Sequence, residues 1–148
     1  MKTLLLTAFS LLLLSCNQGI TSNNKLALNS NIEKLRPPSE LIVQKWDAYQ
    51  NLESNLKLIC NTNPLNATSF RERLMTNVKA MELNIPEPFN TKSVKNSLKG
   101  MDRQISSFYY EVQEDELSKR VVQRHVNDIM KAFGKLNQTL NRTLTYSD

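Results

Sequence analysis

The chain has few of the residues that build chemical sites. Among 148 residues there are two cysteines, Cys16 and Cys60, and one histidine, His125. A single histidine excludes a site made of several imidazoles, and neither cysteine stands in the Cys-x-x-Cys-His pattern that attaches haem covalently. The Glu-x-x-His pairs of di-iron bundles are missing as well. Glycine is scarce at three, and Gly100 and Gly134 fall inside helical patterns. The net charge of +5 is a mild excess, too small to mark a nucleic-acid surface. No apolar run reaches the roughly 20 residues that a membrane-spanning helix needs.

What is present begins at the N-terminus. Lys2 gives a positive start, and Leu4 to Leu14 is apolar except for Thr7, Ala8 and Ser10. A charged start and a short apolar run ending at a small residue form the pattern of a secretory signal. The run ends in Leu13-Leu14-Ser15-Cys16, and polar residues follow it (Asn17, Gln18, Ser22, Asn23, Asn24). These four residues resemble the bacterial lipoprotein signal: an aliphatic residue, a variable one, a small one, then cysteine. Leu14 is bulkier than usual at its position, and the resemblance covers only residues 1–16.

The resemblance implies a diacylglycerol in thioether linkage on Cys16, cleavage between Ser15 and Cys16, and possible N-acylation of the new amine. Two or more acyl chains hold a protein stably to a bilayer where one does not. The competing reading is an ordinary secreted chain with Cys16 paired to Cys60. Lipidation is preferred because it uses one cysteine and leaves one thiol. The expected location is the cell membrane or outer membrane, lipid-anchored and facing the periplasm or the surface. The membrane is then a partner through the lipid, and nucleic acid is not.

Removing residues 1–15 leaves 133 of the 148 residues, enough for one domain, and lowers the charge from +5 to +4 because Lys2 is lost. Residues 16–38 read as the lipidated cysteine and a flexible tether. They mix Asn, Ser and Thr with isolated Ile20, Leu26, Leu28, Ile32 and Leu35, and end in Pro37-Pro38. So little apolar surface does not offset the entropy of ordering.

Residues 39–144 carry helical periodicity and predict an all-α domain, an up-down-up-down four-helix bundle. Helix one starts at Ser39 as cap, with Ile42, Tyr49, Leu52, Leu56 and Ile59 on its apolar face and Trp46 beside the seam. Helix two opens with a capping box, Ser69 and Glu72, presents Phe70, Leu74, Val78 and Met81, and stops near Asn84 before Pro86 and Pro88. Helix three starts at Asn90 or Thr91, and Val94, Leu98, Met101, Ile105, Phe108 and Val112 alternate by four and three. Helix four repeats that rhythm in Val122, Val126, Ile129, Phe133, Leu136 and Leu140. A turn near Gln113–Asp115 separates the last two. The alternative is one rod from Thr91 to Thr143, which gives a three-helix form.

No acid–base–nucleophile set is visible, so an enzyme is the least expected class. His125 beside Arg124 reads as a solvated histidine, although a haem held by His125 and Met75 or Met101 is conceivable in a bundle. Cys60 reads as a half-buried structural thiol. Lys92, Lys95, Lys99 and Arg103 form a basic stripe, read as the solvated back of helix three. Glu111, Glu114, Asp115 and Glu116 cluster without the spacing of a calcium loop. Asn66, Asn137 and Asn141 open glycosylation sequons that a bacterial route does not use. The function expected is a non-enzymatic interaction or scaffolding lipoprotein, with no metal or cofactor beyond the acyl groups and with an envelope protein as possible partner. The alternative is a bundle that binds a small ligand, metal or haem.

Overall fold

The computed structural model describes residues 32–111 and 118–145, with the side chains of 64 and 65 excepted. The signal, Cys16 and the first part of the tether lie outside the described residues. Within them the chain is all-helical, with no strand. Five α-helices follow in order: α1 Pro37–Val43, α2 Asp47–Cys60, α3 Arg71–Leu83, α4 Lys92–Glu111 and α5 Lys119–Thr145. A 3₁₀ helix, Pro64–Phe70, leads into α3, and a 3₁₀ turn, Glu87–Phe89, precedes α4.

The first predicted helix is two helices. α1 begins at Pro37, because proline in the first turn loses no hydrogen bond and brings a helical φ. Ser39 is therefore not a cap but lies inside α1, buried. The backbone breaks at Gln44–Trp46, where Lys45 and Trp46 N–H groups bond to Ile42 and Val43 carbonyls. The Gln50 side-chain amide also donates to the Val43 carbonyl at 3.1 Å. The break turns Trp46 inward, where its ring packs on Tyr49 and Phe89 at centroid separations of 6.0 and 6.3 Å. A continuous helix would leave Trp46 at the edge of the apolar face.

The capping box does not form. Residues 64–70 already run as a 3₁₀ helix into α3, and the Ser69 hydroxyl donates back to the Asn66 carbonyl at 2.7 Å. No side chain caps α3. At α4 the expected start holds, since Thr91 Oγ1 accepts the Val94 N–H at 3.2 Å.

The apolar positions read from periodicity are the core. Leu52, Leu74, Val78, Met81, Val94, Leu98, Met101, Ile105, Phe108, Val122, Leu136 and Leu140 have no exposed surface. Ile42 and Phe70 are only partly covered. α4 and α5 lie antiparallel: Ser97 meets Thr139 through their hydroxyls at 2.9 Å, and Phe108 lies against His125. A single rod would hold these residues far apart, so the continuous-helix alternative fails. The turn predicted at Gln113–Asp115, and Val112, lie outside the described residues. α3 and α4 are antiparallel too, joined by Lys79–Asp102 at 3.7 Å near one end and by Arg71 over the Tyr109 ring at the other.

Residues 32–38 depart from the flexible tether expected of them. Ile32 and Leu35 pack against the core, and the backbone between them is hydrogen-bonded to α5. The partners of that backbone are Asn137 and Asn141, 104 and 107 residues further along the chain.

Candidate functional site

α5 carries two buried asparagines, Asn137 and Asn141, one helical turn apart and flanking the apolar seam. Asn141 Nδ2 donates to the Lys34 carbonyl at 2.9 Å while its Oδ1 accepts the Arg36 N–H at 2.8 Å. Its side-chain amide thus pairs with an extended backbone as a neighbouring strand would. Asn137 Nδ2 donates to the Glu33 carbonyl at 2.8 Å, and its Oδ1 accepts the Tyr49 hydroxyl at 2.8 Å. Gly134 extends the row, its missing side chain facing the Ile32 and Glu33 backbone. Residues 32–36 therefore form a strap along α5, read through main-chain atoms. Because both sequons at 137 and 141 are spent in these buried bonds, neither asparagine is open to modification in the folded chain.

Between the strap, α1–α2 and α5 lies a cleft of about 770 Å³. Val43, Leu56, Met130, Phe133 and the Tyr49 ring make its apolar walls, and Cys60 lies at one side. Its charged lining is mixed: Glu33, Glu40 and Glu53 against Lys34 and Lys57. Glu53 and Lys57 pair at 2.8 Å on the α2 surface. The volume falls in the range of small-molecule sites, roughly 300–1,000 Å³.

Cys60 is half-buried, as expected, and its thiol lies 4.0 Å from the Met130 sulfur. Burial pushes its pKa up, which keeps it a thiol at neutral pH and a weak nucleophile. The Tyr49 hydroxyl is likewise pushed up, first by burial and then by the charge of Glu53.

His125 is not solvated, contrary to the expectation. Only 5 % exposed, it packs on Phe108 at 5.7 Å, with Nε2 3.3 Å from Glu111. The helix turns it toward α4 because it lies three residues after the buried Val122 and four before the buried Ile129. Desolvation lowers its pKa, against the opposing pull of Glu111. Glu111 itself is held low by the Ser107 hydroxyl at 2.6 Å, then by His125 and Arg124. No group of three or more His, Cys, Asp or Glu gathers among the described residues. Lys92, Lys95, Lys99 and Arg103 are all exposed on the outer face of α4. Of the acidic cluster only Glu111 is described.

The asparagine row and the cleft escape a reading of periodicity. The available signal was two asparagines spaced i, i+4 directly after Leu136 and Leu140, where the helix face is still largely buried. No family model, curated protein or solved structure matches this chain. Among the described residues no helix is long and apolar enough to cross a membrane.

Proposed function

We propose that the protein is a bacterial cell-envelope lipoprotein, anchored through acyl groups on Cys16, that displays a non-enzymatic helical domain as an interaction or scaffolding module. The domain is an up-down-up-down four-helix bundle of α2 to α5, braced by α1. The observation that carries the anchor is the apolar run ending in Leu13-Leu14-Ser15-Cys16. The tether then joins a domain whose entry point is pinned: residues 33–36 are hydrogen-bonded to Asn137 and Asn141. Such a strap passes the position of the anchor to a defined flank of the domain. The test is Cys16→Ser in the native host, with radioactive palmitate labelling and membrane fractionation in high salt. Label on the wild type, none on the variant, and a wild type that stays with membranes are expected. Undiminished label in the variant, or a wild type that washes off in salt, overturns the reading.

A second reading, a small-ligand-binding protein, is favoured by the cleft of about 770 Å³ beside the strap. The two are compatible on one chain.

A further inference from the structure

We infer that the cleft between the strap, α2 and α5 takes a single linear, uncharged acyl chain, the tail of a neutral lipid. This deepens the second reading and rests on the cleft being a ligand site.

Three observations set the ligand chemistry. The first is polar satisfaction. The buried polar groups of the wall, the Tyr49 hydroxyl and the Asn137 amide, are bonded to each other and to the Glu33 carbonyl. No buried side-chain nitrogen or oxygen of the lining lacks a partner; the atoms that do, on Trp46, Asn77 and Asp102, lie elsewhere. A ligand rich in donors or acceptors would find no unspent partner inside and would leave its own groups unpaired, which is unfavourable. The walls ask for an apolar body.

The second is charge. Three carboxylates and two ammonium groups border the cleft, and Glu53 and Lys57 already neutralise each other. A lone anionic head finds no surplus of positive charge there. A neutral polar head can rest at the rim beside Asn61, at the Cys60 end of the cleft.

The third is shape. α2 and α5 are antiparallel along this seam: Tyr49 meets Asn137 toward one end, and Cys60 meets Met130 toward the other. The strap covers the Asn137 end. The lining continues past it through Phe133, Met130, Leu56 and Cys60. A groove between two helices running side by side suits a linear chain better than a fused-ring body. Met130 and Cys60 add soft, adaptable contacts.

The acyl chain has two possible sources, a membrane lipid or the lipid on Cys16 itself, and one experiment separates them. Cys60 is the reporter, because with Cys16→Ser it is the only thiol of the chain. The chain from residue 16 onward, which keeps every described element, is reacted with a maleimide while probes are added. Monopalmitoylglycerol at about ten times its dissociation constant should slow Cys60 labelling about tenfold, at one molecule per chain. Palmitic acid, charged at neutral pH, should protect more weakly. Met130→Gln should weaken binding of the neutral probe about tenfold by placing an amide in the wall, and Met130→Leu should not. Helicity measured alongside shows that both variants are folded. In the lipidated wild type, Cys60 that is slow without added probe assigns the source to Cys16; Cys60 that is fast assigns it to other lipids. Protection by a sterol but not by monopalmitoylglycerol overturns the acyl inference and keeps a ligand site. No protection by any apolar probe overturns both.

Discussion

The Tyr49 hydroxyl donates to Asn137 Oδ1 at 2.8 Å, joining α2 to α5 across 88 residues of sequence. The same asparagine holds the Glu33 carbonyl with its other end. Three elements therefore meet on one amide: the strap, α2 and α5. Removing either partner of a buried bond leaves the other with an unmet desolvation cost.

Tyr49→Phe should lower stability by about 1–3 kcal/mol, because Asn137 Oδ1 loses its donor while the ring still packs on Phe133. Asn137→Ala should cost more, since it strands both the Tyr49 hydroxyl and the Glu33 carbonyl. Urea unfolding of the two single variants and the double variant gives the coupling. Additive effects would mean that the bond contributes nothing.

Gly134 faces the strap with room for one methyl: a Cβ there would lie 3.5 Å from Glu33 N and 3.6 Å from Ile32 Cα. Gly134→Ala should therefore stabilise the protein by about 0.5–1 kcal/mol through helix propensity. Gly134→Leu should push the strap off α5 and make residues 32–36 newly sensitive to protease. Equal melting temperatures and protease patterns for both variants would show that the strap does not lie on Gly134.

His125 is held below its ordinary pKa of 6.5 by burial. Its neutral form is the one that the fold favours, so the unfolded chain binds the extra proton as pH falls through about 6.5. Its contribution is therefore fully present above that pH and declines below it, until the folded-state pKa is passed. Melting temperature measured from pH 7.5 to pH 5 should fall, and fall less in His125→Gln. An identical slope in the variant would place the acid sensitivity elsewhere.

Phe108→Ala should cost about 3–5 kcal/mol, because Phe108 has no exposed surface and supports the His125 ring. Lys99→Ala, on the exposed side of α4, should change stability by less than about 0.5 kcal/mol. Chemical denaturation of the two variants tests whether α4 is correctly faced.

Much of the helical layout could be read one residue at a time. Val94 through Phe108 and Val122 through Leu140 declare their buried faces by spacing alone, since a 3.6-residue period puts them on one stripe whatever they pack against. Thr91 marked the start of α4 and Asn84 the end of α3 by local chemistry. Ser39 and Ser69 misled for the same reason in reverse. A cap depends on where the helix begins, and neighbouring turns (Pro37 in one case, the 3₁₀ helix in the other) took that position first.

His125, Asn137 and Asn141 lie beside the apolar stripe rather than on it, and there residue type and period no longer decide burial. What decides is the neighbour that arrives from elsewhere: α4 with Phe108 and Glu111 over His125, and the strap with its bare peptide groups over the two asparagines. The same holds for residues 32–36, whose composition predicts a coil until α5 supplies partners for their backbone. Periodicity along the chain was enough to determine which faces of α2 to α5 turn inward, though not the break at residues 44–46 or the 3₁₀ helix before α3. Only the tertiary structure decided that a polar strap is ordered, that α2 and α5 border a cleft, and that the lone histidine is buried, because each depends on hydrogen bonds and contacts between residues far apart in sequence.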